Sequence, residues 1–287
     1  MTSIPAAEPP KPLAGKVCVV AGASRGVGRG IALGLAEAGA TVVCSGRSTR
    51  FGPRTDGRSE TVEDTAEAVE ELGGRGHPYV CDHTDSRSLH DFSTWVLRRL
   101  GPPDVVACAV WGGNEGFDGR TYPDGSRFGT PFWQRPLTPF DTAIRTGAYA
   151  LLATARAFAP MMIPCRSGLF VAVGFDAEGA CIGDVFYDIG KAAILRTSQI
   201  MAAELAPHAI ASVHLTPGFV RTERVLDAGH GSEATQSPLY TGRAVAALAA
   251  DPDPMAMTGQ SLFVADLARR HGFTDADGTQ PERFGIG

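Results

Sequence analysis

Short runs of β-branched and other apolar residues recur along the chain, each followed by a stretch with helical spacing. "KVCVVAGA" (16–23) is the first, and "RGIALGLAEAGA" (29–40) follows it with apolar positions on a helical period and a glycine stop. "TVVCSG" (41–46) predicts a second strand, after which a polar, Gly- and Arg-rich stretch leads into the helical pattern "ETVEDTAEAVEELGG". The alternation continues with a strand at 77–82, a helix at 86–100, a strand at 104–110, a helix at about 138–159 and a strand at 168–174. A helix at 187–206, a strand at 211–215, a helix near 240–250 and a strand at 260–265 complete it. Short apolar strands alternating with helices predict βαβ units, and so a parallel sheet of about seven strands covered on both faces. Right-handed crossovers then make an α/β, doubly wound Rossmann fold the expected class.

No internal repeat or linker divides the pattern, so residues 13–287 are expected to form one domain. The proline-rich start, "MTSIPAAEPPKP" (1–12), lacks the apolar segment of a targeting signal and reads as a disordered tail. One segment breaks the alternation. Residues 111–136, "WGGNEGFDGRTYPDGSRFGTPFWQRP", form a long loop after the fourth strand, and loops of that length without structure of their own are functional or disordered. Its six aromatic residues favour a binding loop.

Composition narrows the function classes. Hydrophobic residues at 44% and charged residues at 20% suit a soluble globular protein with a sizeable core. A net charge of −5 without a basic stripe argues against nucleic acid as the main partner. The six cysteines (18, 44, 81, 108, 165, 181) form no C-x-x-C pair, and the first four lie in predicted strands. They read as buried free thiols of a reducing cytosol. The histidines are scattered without metal-ligand spacing, so no metal is expected. No run approaches the roughly 18 apolar residues of a membrane span; the most apolar long stretch, 147–163, is interrupted by Arg156 and Pro160. The expectation is a cytoplasmic protein acting on a small molecule, with neither membrane nor nucleic acid as partner.

The candidate chemistry starts at "AGASRGVG" (21–28), where Gly22, Gly26 and Gly28 fall between a strand and a helix. Glycines allow a tight turn and close backbone approach, and a helix N-terminus offers unpaired N–H groups to phosphate. Ser24, Arg25 and Val27 belong to the same turn. Dinucleotide folds that take NAD place an acid about twenty residues on to hold the ribose. No Asp or Glu occurs between Thr41 and Arg54 here; Arg47, Arg25 and Arg50 are there instead. Guanidinium groups bind a 2′-phosphate that an acid would repel, so NADP(H) is the expected cofactor. Asp82 and His83, ending the third strand, suit the adenine end, although Asp82 could equally cap the helix near Ser86. In "VFYDIGKAA" (185–193), Tyr187 and Lys191 share one helix face. An ammonium beside a phenol favours the phenolate and draws the titration down from its ordinary value near 10.

Together these residues resemble the short-chain dehydrogenase/reductase family over about 14–265, with "TPGFVRTE" (216–223) as a further match. The resemblance implies that Pro217, Gly218, Val220 and Thr222 approach the nicotinamide carboxamide, that Lys191 bonds the nicotinamide ribose, and that Tyr187 is the proton donor or acceptor. It implies a hydride transfer between nicotinamide and a small carbonyl, imine or alcohol. It also implies a homodimer or homotetramer, paired through the helix at about 139–159, whose Phe140, Leu151, Leu152 and Phe158 form an apolar face.

Three positions depart from the family pattern. The serine that donates to the substrate oxygen is replaced at Gly174 or Phe175, the asparagine of the helix after the fourth strand is Gly147, and "NNAG" reads "CAVWGG". Either another donor takes over, from among Trp111, Asn114, Tyr149 and Asp176, or the substrate needs less help. Phe219 begins a segment, 219–240, that folds over the substrate in this family. A non-redox role on the same fold, as lyase, isomerase or NADP(H)-binding sensor or scaffold, is the alternative.

Overall fold

A computed structural model of the chain describes residues 11–230 and 235–284. The expected tail at 1–12 lies outside them except for Lys11 and Pro12; Lys11 Nζ donates to the carbonyl of Leu72 at 3.0 Å.

Seven strands form one parallel sheet: β1 (Val17–Ala21), β2 (Thr41–Gly46), β3 (Arg75–Val80), β4 (Val105–Cys108), β5 (Leu169–Val173), β6 (Ala211–Thr216) and β7 (Ser261–Phe263), in the order β3-β2-β1-β4-β5-β6-β7. This is the doubly wound Rossmann fold. The order reverses between β1 and β4, so the crevice for a ligand opens above the C-terminal ends of those strands.

The helices are α1 (Gly26–Glu37), α2 (Val62–Glu71), α3 (Ser86–Leu100), α4 (Thr138–Ile144), α5 (Ala150–Met162), α6 (Val185–Leu205), α7 (Glu223–Asp227), α8 (Pro238–Ala250) and α9 (Val264–His271). Two apolar cores result, because successive strand residues point to opposite faces. Cys18 and Val20 of β1 join α1, α8 and α9 on one side, while Val19 and Ala21 join α3, α5 and α6 on the other. Side chains fix the starts of several helices: Thr61 and Asp64 make a reciprocal capping box at α2, Asp85 caps α3 and Asp184 caps α6.

Differences from the sequence pattern are local. The seventh strand ends at Phe263 because Val264 already begins α9, and neither α7 nor α9 was expected. Arg156 and Pro160 do not interrupt their helix. Thr138–Cys165 is a continuous helical run of 28 residues, joined by a π-helical turn at Arg145–Tyr149, and is long and apolar enough by composition to cross a membrane. Pro160 removes one N–H donor without ending the helix. On its inner side Leu151, Phe158 and Met162 are buried in the second core; two of the four residues expected on a pairing face, Leu151 and Phe158, therefore face the interior. Leu152 is 54% exposed.

Candidate active site

The switch-point crevice is a cavity of about 690 Å³. At one end lies the glycine turn. Gly22 and Gly26 adopt positive φ, which a side chain would oppose, and a Cβ on Gly28 would stand 1.9 Å from the carbonyl oxygen of Gly22. The turn therefore brings bare backbone to the start of α1. Ser24, Arg25 and Val27 line the same end. The Gly26 N–H is held by a carboxylate of this chain, since Glu223 Oε2 accepts from it at 2.9 Å. That anion stands where the helix N-terminus would receive a phosphate, and the chemistry of this donor set fits a dinucleotide.

The arginines are not isolated cations. Arg47 pairs with Glu115, and Arg25 donates to the Thr55 carbonyl at 3.1 Å and to Asp56 at 3.3 Å; Asp56 also pairs with Arg224. The stretch 41–54 contains no acid, but the loops fold Asp56 and Glu115 back onto it, which linear spacing could not reveal. Arg50 is committed elsewhere, to Asp64 at 2.5 Å and Glu67 at 2.8 Å of α2, and is not part of the cavity wall.

Asp82 and His83 line the cavity. Asp82 does not cap α3, because Asp85 does so. Burial works against the Asp82 carboxylate, yet hydrogen bonds from the Thr84 N–H (2.8 Å) and hydroxyl (2.7 Å) outweigh it and hold the group below its usual range. His83 is fully buried between the Ser45 hydroxyl (3.0 Å) and the Thr154 hydroxyl (2.9 Å), and burial pushes its pKa down to about 4.

At the other end Tyr187 and Lys191 project from one face of α6, whose first turn is fixed by Asp184 accepting from the Tyr187 N–H at 3.1 Å. The Lys191 ammonium lies 3.9 Å from the centroid of the Trp111 ring and 5.4 Å from that of Tyr187. Burial pushes the Lys191 pKa down to about 7. Burial also raises the Tyr187 phenol above its ordinary range, with the neighbouring Tyr122 and Asp188 acting in the same sense. The lowering expected from the ammonium is not found; every cause acting on the phenol raises it.

The departures from the family pattern have a steric cause. A Cβ on Gly147 would meet Trp111 and Ile194 at 3.2 Å, and one on Gly190 would meet Trp111 at 2.8 Å. A Cβ on Gly174 would lie 2.2 Å from Nε2 of His214. Indole and imidazole rings fill the space that side chains at 147 and 174 would take, so a serine at 174 requires His214 to move.

Of the four donors considered, Trp111 and Asn114 line the cavity but are bonded to each other, indole N–H to amide oxygen, at 2.5 Å. Tyr149 and Asp176 are not brought to the cavity wall. Thr146 and Gly147 turn inward, which leaves the Tyr149 ring 45% exposed beneath the Arg145 guanidinium, 5.5 Å from its centroid. Asp176 caps a local turn, accepting from the Glu178 N–H at 2.9 Å. Gly174, Phe175, Pro217, Gly218, Phe219, Val220 and Thr222 all line the cavity. Sequence reasoning missed Phe128, Ile182 and Phe284, which complete its apolar end, and Glu223; it also missed His214, which stands behind Gly174 and not in the cavity wall. His214 carried a readable signal as a polar residue in a strand buried on both faces, and Phe128 one as an aromatic of the long loop.

A family model described as short chain dehydrogenase matches residues 16–232. Dehydrogenase/reductase SDR family member 1 of Mus musculus is 33% identical over 283 residues, spanning 93% of this chain and 85% of that protein. Cyclohexanol dehydrogenase of a Rhodococcus species is 29% identical over 220 residues, 75% of this chain and 77% of that protein. Among solved structures, a short chain dehydrogenase from Mycobacterium thermoresistibile superposes with a TM-score of 0.77 at 22% identity, covering 96% of this chain and 94% of that one. A 7 alpha-hydroxysteroid dehydrogenase complexed with NADH and 7-oxo glycochenodeoxycholic acid gives 0.69 at 23%, covering 93% and 96%. With the glycine turn, the Tyr187/Lys191 face and the sheet order in agreement, this chain belongs to the short-chain dehydrogenase/reductase family.

Proposed function

We propose that the protein is an NADP(H)-dependent oxidoreductase acting on an apolar organic carbonyl, imine or alcohol. The observation that carries the reading is that the glycine turn and the Tyr187/Lys191 face open into one cavity, whose far end is walled by Phe128, Phe175, Ile182, Phe219 and Phe284. Gly22, Ser24, Arg25, Gly26, Val27 and Gly28 would hold the diphosphate, Arg47 and Arg25 the 2′-phosphate, and Asp82 and His83 the adenine. Pro217, Gly218, Val220, Thr222 and Lys191 would hold the nicotinamide half. When bound, the nicotinamide supplies or accepts the hydride. Cytoplasmic location and a homodimer or homotetramer belong to the same proposal.

Tyr187 does the acid work. Burial keeps its phenol protonated at neutral pH, so it delivers a proton to an oxygen or nitrogen that gains electrons. Lys191, with Nζ over the Trp111 face and a pKa pushed down to about 7, lies close enough in its charged form to stabilise the phenolate left behind. The relatives' printed activities, on cyclohexanol and on a hydroxysteroid, are in keeping with an apolar substrate.

The test measures NADPH oxidation with a panel of cyclohexanone, isatin and benzil. Tyr187→Phe keeps the ring, so cofactor affinity should hold while turnover falls about 10²- to 10⁴-fold. Unchanged turnover in that variant would mean the pair is vestigial and the chain has a non-redox role.

A further inference from the structure

Strand β6 has an unusual side. Ala211, Val213 and Leu215 join the first core, while Ser212, His214 and Thr216 face the other way, all fully or almost fully buried. Strands covered on both faces are ordinarily apolar on both, and buried polar atoms need partners. Ser212 finds one in the Ser198 hydroxyl of α6, at 3.2 Å. His214 Nδ1 finds the Ser261 hydroxyl at 3.0 Å and that of Thr216 at 3.4 Å. Among the described residues, His214 Nε2 is buried without a partner.

That nitrogen points at Gly174, from behind the cavity wall. It stands 2.2 Å from where a Cβ on Gly174 would be, with Cδ2 and Cε1 behind it at 3.1 and 3.2 Å, so the ring is aimed tip-first at that spot. Gly174 lines the cavity together with Tyr187 and Lys191. An oxygen gaining charge in this cavity calls for preorganised donors. Tyr187 is one, and the indole N–H of Trp111 is already given to Asn114. We propose that His214, through an Nε2–H group separated from the cavity only by the bare glycine at 174, is the second hydrogen-bond donor to the substrate's reacting oxygen. The inference rests on the oxidoreductase reading above. His214 keeps its proton throughout; the proton transferred is that of Tyr187.

The ring's setting agrees with this role. Burial pushes the His214 pKa down to about 4, with Lys191 acting in the same direction and Asp176 opposing, so the imidazole is neutral at pH 7 and carries one N–H. Two hydroxyls converge on Nδ1, and when they donate to it the one ring proton belongs to Nε2.

Three measurements test the proposal. Nitrogen NMR of the histidine rings should find His214 as the Nε2–H tautomer, and this resonance should shift when isatin is added to protein loaded with NADP⁺. An Nδ1–H tautomer, or a resonance that does not move, overturns the proposal. With the carbonyl panel, His214→Phe keeps a ring of similar size without a donor, and should lower turnover about 10²-fold while NADPH affinity stays within about twofold. Wild-type turnover in that variant means the histidine only fills space and also overturns it. His214→Ala combined with Gly174→Ser returns a hydroxyl donor to the vacated space and should exceed His214→Ala alone by about tenfold; no gain counts against the proposal. If the wild-type protein reduces none of the panel, or Tyr187→Phe is unimpaired, the oxidoreductase reading is at fault, and the NMR shift still decides the role of His214.

Discussion

Asp184 joins the long loop to the catalytic helix, and replacing it should expose how much the site depends on one buried charge. One carboxylate oxygen accepts from Arg135 Nη1 at 2.6 Å, the other from the Tyr187 N–H at 3.1 Å, and both partners of the ion pair are 1% exposed. The guanidinium is further sandwiched, 4.6 Å from the centroids of Tyr122 and Phe186. Asp184→Asn keeps a cap oxygen, and asparagine is a good cap, so that part of the change should cost well under about 1 kcal/mol. The larger cost is an unpaired buried cation, for which breaking one side of a buried pair gives about 3–5 kcal/mol. For a chain of this size that is about 10 °C in Tm. The assay is thermal and urea unfolding of Asp184→Asn, Arg135→Met and the double variant. Arg135→Met leaves the Asp184 carboxylate bonded to the Tyr187 N–H at the helix N-terminus and should cost less than Asp184→Asn, and the double variant should recover at least about 2 kcal/mol of the summed losses. Costs that add to within about 0.5 kcal/mol would refute the reasoning, because independent sites add that closely.

Three further outcomes follow from the geometry. Arg47→Ala should weaken NADPH binding about tenfold or more and leave NADH nearly unchanged, since a guanidinium–phosphate pair contributes about 1.5–3 kcal/mol; fluorescence titration in which the wild-type protein binds NADH as tightly would sink this. His83 and His214, both pushed down to about 4 by burial, are neutral when folded and protonate near 6.5 when unfolded. The unfolded chain therefore binds more protons between these values, so stability is complete above about pH 6.5 and is lost as pH falls toward 4, by up to roughly 3 kcal/mol per histidine; a flat urea midpoint between pH 7 and 4.5 would contradict this. Light scattering at micromolar concentration should give a dimer or tetramer, in which the exposed Leu152 of α5 and Ile189 and Ile200 of α6 become buried; a monomer would contradict it.

The elements legible in the sequence are those whose signal is periodic. The apolar runs at 17–21 and 41–46 and the glycines between β1 and α1 specify local structure that tertiary packing then keeps. Helix α7 was not legible because five residues are too few to carry a period, and α9 was not because its first residues, Val264 and Ala265, continue the apolar run of β7 and read with it as strand. Asp56 and Glu115 were hidden for a different reason. Each comes from a loop, and only the folded chain brings it to Arg25 and Arg47.

The glycines of the site follow a further logic. Gly147 and Gly174 read as missing side chains, and a missing side chain is silent about what fills its place. Register supplies the answer at 174. Ala172 of β5 pairs with His214 of β6, so position 174 shares a face with that histidine, one pleat repeat along the strand. A residue with a Cβ at 174 would collide with the imidazole tip, and an imidazole at 214 needs the bare glycine beside it. The two positions are therefore one structural unit spread over two strands, and changing either alone breaks the fit. Trp111 relates to Gly147 and Gly190 in the same way, and its ring also covers the Lys191 ammonium. Substitutions at the three glycines should accordingly act through the rings they displace, which makes His214 and Trp111 the residues through which the departures from the family pattern have to be understood.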